Sequence, residues 1–212
     1  MKLTVYAIAH PVTALGPGTR VALWVAGCPL RCPGCLTPQL QDARAGTAVA
    51  VERVARALLD IPYPLDGLTL TGGEPFAQAE PLTELLEPLK AARPEWNVLC
   101  YSGYTLAALR RRGAESARLL AGIDVLVAGP YRERRPQTHP LAGSGNQRIH
   151  LLSARGRALA PALDRAPPDA LNLALGPDGR QWLIGVARGA ARTAIHQALT
   201  QPAPGADVPC TH

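Results

Sequence analysis

Hydrophobic positions along this chain switch repeatedly between two spacings. Short runs rich in valine, leucine and isoleucine read as β-strands: LTVYAIA (3–9), RVALWVAG (20–27), GLTLTG (67–72), WNVLCYSG (96–103) and IDVLVAG (123–129). Between them the apolar residues fall at helical spacing. Val51, Val54, Ala55, Leu58 and Leu59 share one helix face, and Leu82, Leu85, Leu86 and Leu89 share another. Leu106, Leu109, Leu119 and Leu120 follow the same rule more loosely. Pro88 removes a backbone donor inside the second helix, so a kink or an early stop is expected there. The strands starting near 67, 96 and 123 are about 28 residues apart, the length of a strand–helix repeat with short loops. Strands this apolar suit a parallel sheet covered by helices, so the fold class is α/β.

After about residue 153 the pattern changes. SARGRALAPALDRAPPDA (153–170) is rich in alanine, arginine and proline and reads as a surface connection. ALNLALGPDGRQWLIGVA (170–187) reads as two strands meeting at a Gly176-Pro177-Asp178-Gly179 turn. A short helix around 189–200 and a proline-rich tail holding Cys210 and His212 close the chain. The expected organisation is a core over 1–152 and a small hairpin-and-helix appendage over 153–212.

Composition narrows the function classes. With 47% hydrophobic and 18% charged residues over 212 positions, the chain can bury a sizeable core. Its net charge of +6 is almost all arginine, Lys2 and Lys90 being the only lysines. Only 4% of residues are aromatic, which leaves no stacking platform, so a nucleic-acid partner is not expected. No apolar run reaches the roughly 20 residues that span a membrane. MKLTVYAIAH reads as a strand rather than a signal peptide, so a cytoplasmic, reducing location is expected. Clustered cysteines there bind metal or do chemistry more often than they pair, and five is an odd number for a disulfide framework.

Three of those five cysteines, Cys28, Cys32 and Cys35, sit on one segment just after a strand. Three thiolates at this spacing can hold three corners of a tetrahedron. A four-iron cluster held this way leaves one iron open to a small molecule. Zinc would need a fourth ligand, which Cys100, Cys210 or a histidine could supply. The spacing favours iron–sulfur and leaves both open. Gly72-Gly73-Glu74-Pro75 follows the next apolar strand, at the same end of the sheet. Two glycines let a ligand approach the backbone, and the carboxylate can receive an ammonium group. Ligands bind at that end of parallel α/β sheets. Elsewhere the expectations are plainer. Cys100 reads as a buried hydrophobe, Trp24 and Trp182 as packing residues, and Arg132, Arg134 and Arg135 as a solvated loop. His10, His139 and His150 have no mutual metal spacing.

Six stretches in order carry a resemblance. They are GPGTR (16–20), LWVAGCPLRCPGC (23–35), TGGEP (71–75), YSGY (101–104), IDVLVAGPY (123–131) and GSGNQR (143–148). Over about residues 1–152 the chain resembles the radical S-adenosylmethionine (SAM) superfamily, and within it the activating enzymes of anaerobic ribonucleotide reductases. It departs from them at Leu36-Thr37-Pro38-Gln39 and at Ala128, and in its C-terminal extension. The resemblance implies an incomplete (β/α) barrel of radical SAM type with a [4Fe–4S] cluster on Cys28, Cys32 and Cys35. It places Gly72, Gly73, Glu74 and Pro75 at the methionyl end of SAM, Ser102 and Gly103 at the rest of SAM, and Asn146 and Gln147 near adenosine or substrate. The implied reaction is reductive cleavage of SAM to a 5′-deoxyadenosyl radical that abstracts hydrogen from a glycine of a glycyl-radical partner. A reducing donor such as flavodoxin or ferredoxin is implied with it. Two other readings stand beside this one: a radical SAM enzyme acting on another peptide or small molecule, its hairpin helping recognition, and a non-catalytic zinc or iron–sulfur module.

Overall fold

The strand-like runs line up side by side in one mixed sheet. The computed structural model describes residues 1–175 and 181–186. Along the chain the strands are β1 (Lys2–Val12), β2 (Arg20–Val25), β3 (Thr47–Ala50), β4 (Gly67–Gly72), β5 (Asn97–Ser102), β6 (Val125–Ala128) and β7 (Arg148–Leu151). Their order across the sheet is β3-β1-β2-β4-β5-β6-β7. β2, β4, β5 and β6 run parallel and form its centre. β1 pairs antiparallel with β2 and β3, and β7 antiparallel with β6. The architecture is mixed α/β with a parallel-rich sheet.

Helices cover one face: α1 (Val51–Leu59), α2 (Ala79–Ala92), α3 (Leu106–Arg110) and α4 (Ala114–Ala121). The apolar faces expected from their spacing are the faces they bury. Val54, Leu58, Leu82, Leu85, Leu86 and Leu89 pack on Leu23, Leu68, Leu70, Val98 and Leu126 of the sheet. Each leucine so buried contributes on the order of 2 kcal/mol. Cys100 sits in this core, fully buried, as a small hydrophobe. Pro88 does not shorten α2, which continues to Ala92. One missing backbone donor costs less than four buried leucines supply.

The other face carries two smaller cores. Near β1 and β2, Val12, Leu15, Ala22, Trp24 and Leu40 pack together. Near β5 and β6, Leu99, Val125, Val127, Leu141 and Leu163 do the same. Leu163 corrects the expectation of a surface connection over 153–170. That stretch holds two short helices, α5 (Ala154–Ala158) and α6 (Ala160–Asp164), and Leu163 is 3% exposed. Ser153 caps α5 by accepting from the Gly156 N–H, and Gly156 lies so close to the Asp124 carbonyl that no side chain fits there.

The expected terminal strands are present as an antiparallel pair, β8 (Leu171–Leu175) and β9 (Gln181–Gly185). The Gly-Pro-Asp-Gly turn, the helix around 189–200 and the tail with Cys210 and His212 lie outside the described residues. Trp182 packs, as expected, but on the main sheet: its ring centroid is 5.5 Å from that of Tyr6. Among the described residues no helix is long and apolar enough to cross a membrane.

Candidate functional site

The C-terminal ends of β2, β4 and β5 open onto one cleft of about 1080 Å³, part of it open to solvent. Cys28, Cys32, Cys35, Gly72, Gly73, Glu74, Ser102, Gly103 and Gln147 all line it. Two of the residues singled out in the sequence do not. Pro75 is buried in the first turn of a short 3-10 helix, and the Asn146 side chain is turned away to donate to the Pro130 carbonyl at 2.7 Å.

The cysteine segment leaves β2 through Gly27, which has φ +97°. Gly27 N–H donates to the Leu40 carbonyl at 2.9 Å and Cys28 N–H to the Gln41 carbonyl at 3.1 Å, closing the loop at its base. Cys35 N–H turns back onto the Cys32 carbonyl at 3.2 Å. All three thiols are free and half-buried. Burial pushes the Cys28 thiol up from its ordinary value, and the nearby Glu74 and Cys32 add to the shift. Among the described residues no three histidine, cysteine or acidic side chains already stand close enough to grip a metal ion. The cleft lining contains three thiols and no histidine, a donor set that fits an iron–sulfur cluster with one iron left open.

The turn after β4 is bonded to the base of that loop. Gly73 N–H donates to the Val25 carbonyl at 2.7 Å, and Glu74 N–H to the Gly27 carbonyl at 2.9 Å. A Cβ on Gly72 would sit 2.4 Å from the Val25 oxygen, and one on Gly73 would sit 2.4 Å from the Gly27 oxygen. The close approach these glycines permit is therefore first to neighbouring backbone. Glu74 is fully buried. Its Oε1 accepts from Ser102 Oγ at 2.9 Å and from the Phe76 N–H at 3.0 Å, and its Oε2 from the Gly103 N–H at 2.8 Å. Burial pushes this carboxyl up to about 7, against the pull of those three donors. In this arrangement Glu74 straps the turn after β4 to the end of β5.

The far wall follows β6. Gln147 Nε2 donates to the Gly129 carbonyl at 2.9 Å, and its Oε1 accepts from the Ser144 N–H at 3.2 Å. Sequence reasoning passed over several lining residues. Thr71 and Tyr101 line the cleft from β4 and β5, and Trp24 of β2, expected only to pack, both packs and lines it. Alternation along each strand, which sets them on the face opposite Leu23, Leu70 and Cys100, is the signal that could have found them. Leu30 also lines the cleft, packed so tightly over Gly103 that a Cβ there would be 2.3 Å from its Cδ1. No local pattern announces that contact. Leu183, Ile184, Gly185 and Val186 of the extension line the cleft too. His10, His139 and His150 do not, and Arg132, Arg134 and Arg135 are exposed.

Comparison with known proteins adds a consistent result. The family described as a 4Fe-4S single cluster domain matches residues 14–150. The anaerobic ribonucleoside-triphosphate reductase-activating protein of enterobacteria phage T4 is 31% identical over 137 residues, covering 63% of this chain and 85% of that protein. The protein of the same name from Vibrio cholerae is 33% identical over 148 residues, covering 66% and 94%. Its namesake from Escherichia coli K12 is 29% identical over 150 residues, covering 68% and 96%.

Proposed function

This chain belongs to the family of anaerobic ribonucleoside-triphosphate reductase-activating proteins and carries a 4Fe-4S single cluster domain, and from that premise we propose that it is a radical SAM enzyme that installs a glycyl radical on a partner reductase. Its sheet is read as an incomplete (β/α) barrel, with the cleft as the mouth. The observation that carries the reading is one cleft lined together by three thiols, the glycine–glutamate turn after β4 and the end of β5.

In this reading Cys28, Cys32 and Cys35 ligate the cluster, and Gly72, Gly73 and Glu74 hold the methionyl end of SAM. Pro75 fixes the turn from below. Ser102 and Gly103 meet the rest of SAM, Gln147 stands toward adenosine or substrate, and Asn146 supports that wall through Pro130. When bound, the cluster and SAM would supply reductive one-electron cleavage of the sulfonium bond, and with it hydrogen abstraction from a glycine of the partner. The protein's own part is to position and to exclude. A carboxyl held near neutrality by burial is driven toward its ionised form by a cation brought alongside, so Glu74 gains charge as an ammonium docks. Trp24, Leu36 and Tyr101 keep the cleft apolar and limit the water that reaches it. The electron donor is a small reducing protein such as flavodoxin or ferredoxin, in a cytoplasmic setting.

Anaerobic reconstitution tests this. The expected result is about four irons and four sulfides per chain with reductive release of 5′-deoxyadenosine. Both are lost in Cys32→Ala. One tightly bound zinc and no deoxyadenosine would overturn the reading. Mixing the reduced, SAM-loaded enzyme with a glycyl-radical reductase and finding no radical signal by electron paramagnetic resonance would remove the partner while leaving the chemistry standing.

A further inference from the structure

The family match ends at residue 150, yet part of the chain beyond it forms one wall of the cleft. Leu183, Ile184, Gly185 and Val186 line the same space as Cys28, Cys32 and Cys35. Two independent sets of contacts hold this hairpin in place. Asn172 on β8 clamps the segment that follows β1: its Oδ1 accepts from the Thr13 and Ala14 N–H groups, both at 2.9 Å, and its Nδ2 donates to Thr13 Oγ1 at 3.0 Å. Ile184 and Val186, 4% and 7% exposed, pack with Leu15, Trp24 and Leu40, while Trp182 meets Tyr6. The strand pair is itself tight at this point. Gly185 has φ +153°, and a side chain there would run into the Ala170 carbonyl at 2.4 Å. Among the described residues, no lysine, arginine or aspartate lines the cleft, and Glu74 is its one acidic residue.

We propose that the β8–β9 hairpin is a wall of the cofactor cleft, held in place by Asn172, which limits access to the three cysteine thiols and makes substrate enter past Leu183 and Ile184. The proposal rests on reading this cleft as the cofactor site. A clamp of three hydrogen bonds and an apolar seat set how often the hairpin lifts, and thiol access follows that opening. Leu183 and Ile184 thereby become specificity-determining positions beyond the family match, which ends at residue 150.

Thiol alkylation of the full-length, metal-free, reduced protein tests this without cluster or SAM. Iodoacetamide labelling is followed by peptide mapping at Cys28, Cys32 and Cys35. Cys100, fully buried in the other core, reports that the fold is intact. Asn172→Ala should speed labelling of the three thiols about tenfold, and Ile184→Ala about threefold, with Cys100 still protected. Rates within about twofold of the parent in both variants would overturn the proposal. If Asn172→Ala also exposes Cys100, the Ile184→Ala rate decides, since that change widens the wall without touching the clamp. Failure of the cofactor reading would show separately, in reconstitution.

Discussion

Arg20 and Glu74, at opposite ends of the parallel sheet, are the two charged side chains fully buried among the described residues, and the sheet uses them in opposite ways. At the N-terminal end Arg20 is fully buried. Its Nε donates to Thr69 Oγ1 at 2.7 Å, Nη1 to Asn97 Oδ1 at 2.7 Å and the Pro17 carbonyl at 3.0 Å, and Nη2 to the Leu68 and Asn97 carbonyls at 2.8 and 3.3 Å. Those bonds engage every donor a guanidinium has. Burial lowers its pKa to about 10, so it keeps its proton at neutral pH. At the C-terminal end Glu74 accepts three hydrogen bonds, yet burial leaves its carboxyl at about 7. Arg20 is a rivet through β2, β4 and β5 whose charge does not change. Glu74 is a strap between β4 and β5 whose charge does, and it borders the cleft. The sheet is therefore rigid where no chemistry happens and adjustable where a cation is expected to dock.

The largest effect expected from this contrast is at the rivet. Arg20→Met leaves Thr69, Asn97 and three carbonyls without their donor in a dry site, and should cost about 4 kcal/mol in urea unfolding. Cofactor binding by the fraction that stays folded should be unchanged, because Arg20 lies at the far end of the strands. A loss under about 1 kcal/mol would break the comparison, since Arg20 would then be tolerated rather than structural.

Much of this arrangement was readable from the chain, for physical reasons that differ by element. β2, β5 and β6 are buried on both faces and carry apolar runs, and β4, buried over Gly67–Leu70, alternates leucine with threonine. β3 and β7 are short edge strands, Thr47–Ala50 and Arg148–Leu151, with polar or exposed positions that leave no such run. α5 and α6 hid behind arginine and proline because Leu163 alone carries much of their burial. The cysteine loop and the glycine–glutamate turn were visible because each is a local string. What holds them was not: Leu30 over Gly103, Ser102 on Glu74 and Asn172 on Thr13 join residues far apart in sequence, the last by 159 positions. Local spacing has no access to such pairs. For the same reason local spacing did not show that the first neighbours of Gly72 and Gly73 are the Val25 and Gly27 carbonyls.

The next effect in size is a pH dependence at the strap. The fold raises the Glu74 carboxyl from 4.5 to about 7, so it favours the protonated form. Its contribution is whole below pH 4.5, where the unfolded chain is protonated too. As pH rises through 4.5 to about 7, the unfolded chain gives up a proton that the folded one retains, and stability falls. The span is worth about 3 kcal/mol. Urea midpoints of the metal-free protein should fall across that range, and Glu74→Gln, which has no proton to lose there, should flatten the slope. An unchanged slope in the variant would assign the titration to another group and remove the adjustable half of the comparison. In the assembled enzyme a docked ammonium should also flatten it, by compensating the ionised carboxyl.

Ser102→Ala sharpens the same point with the smallest expected effect. Ser102 Oγ donates to Glu74 Oε1 at 2.9 Å and accepts from the Tyr104 N–H at 3.1 Å. The first bond favours the ionised carboxylate, so losing it should push the Glu74 carboxyl further up and move the pH-dependent loss of stability to higher pH. The second bond does not titrate, so its loss should cost about 1 kcal/mol at every pH. The two contributions separate in one data set, as a uniform drop and a shifted midpoint. A uniform drop alone would mean that Ser102 only caps the turn after β5. A shifted midpoint means that the end of β5 helps set the charge at the cleft, which would make the strap part of the site.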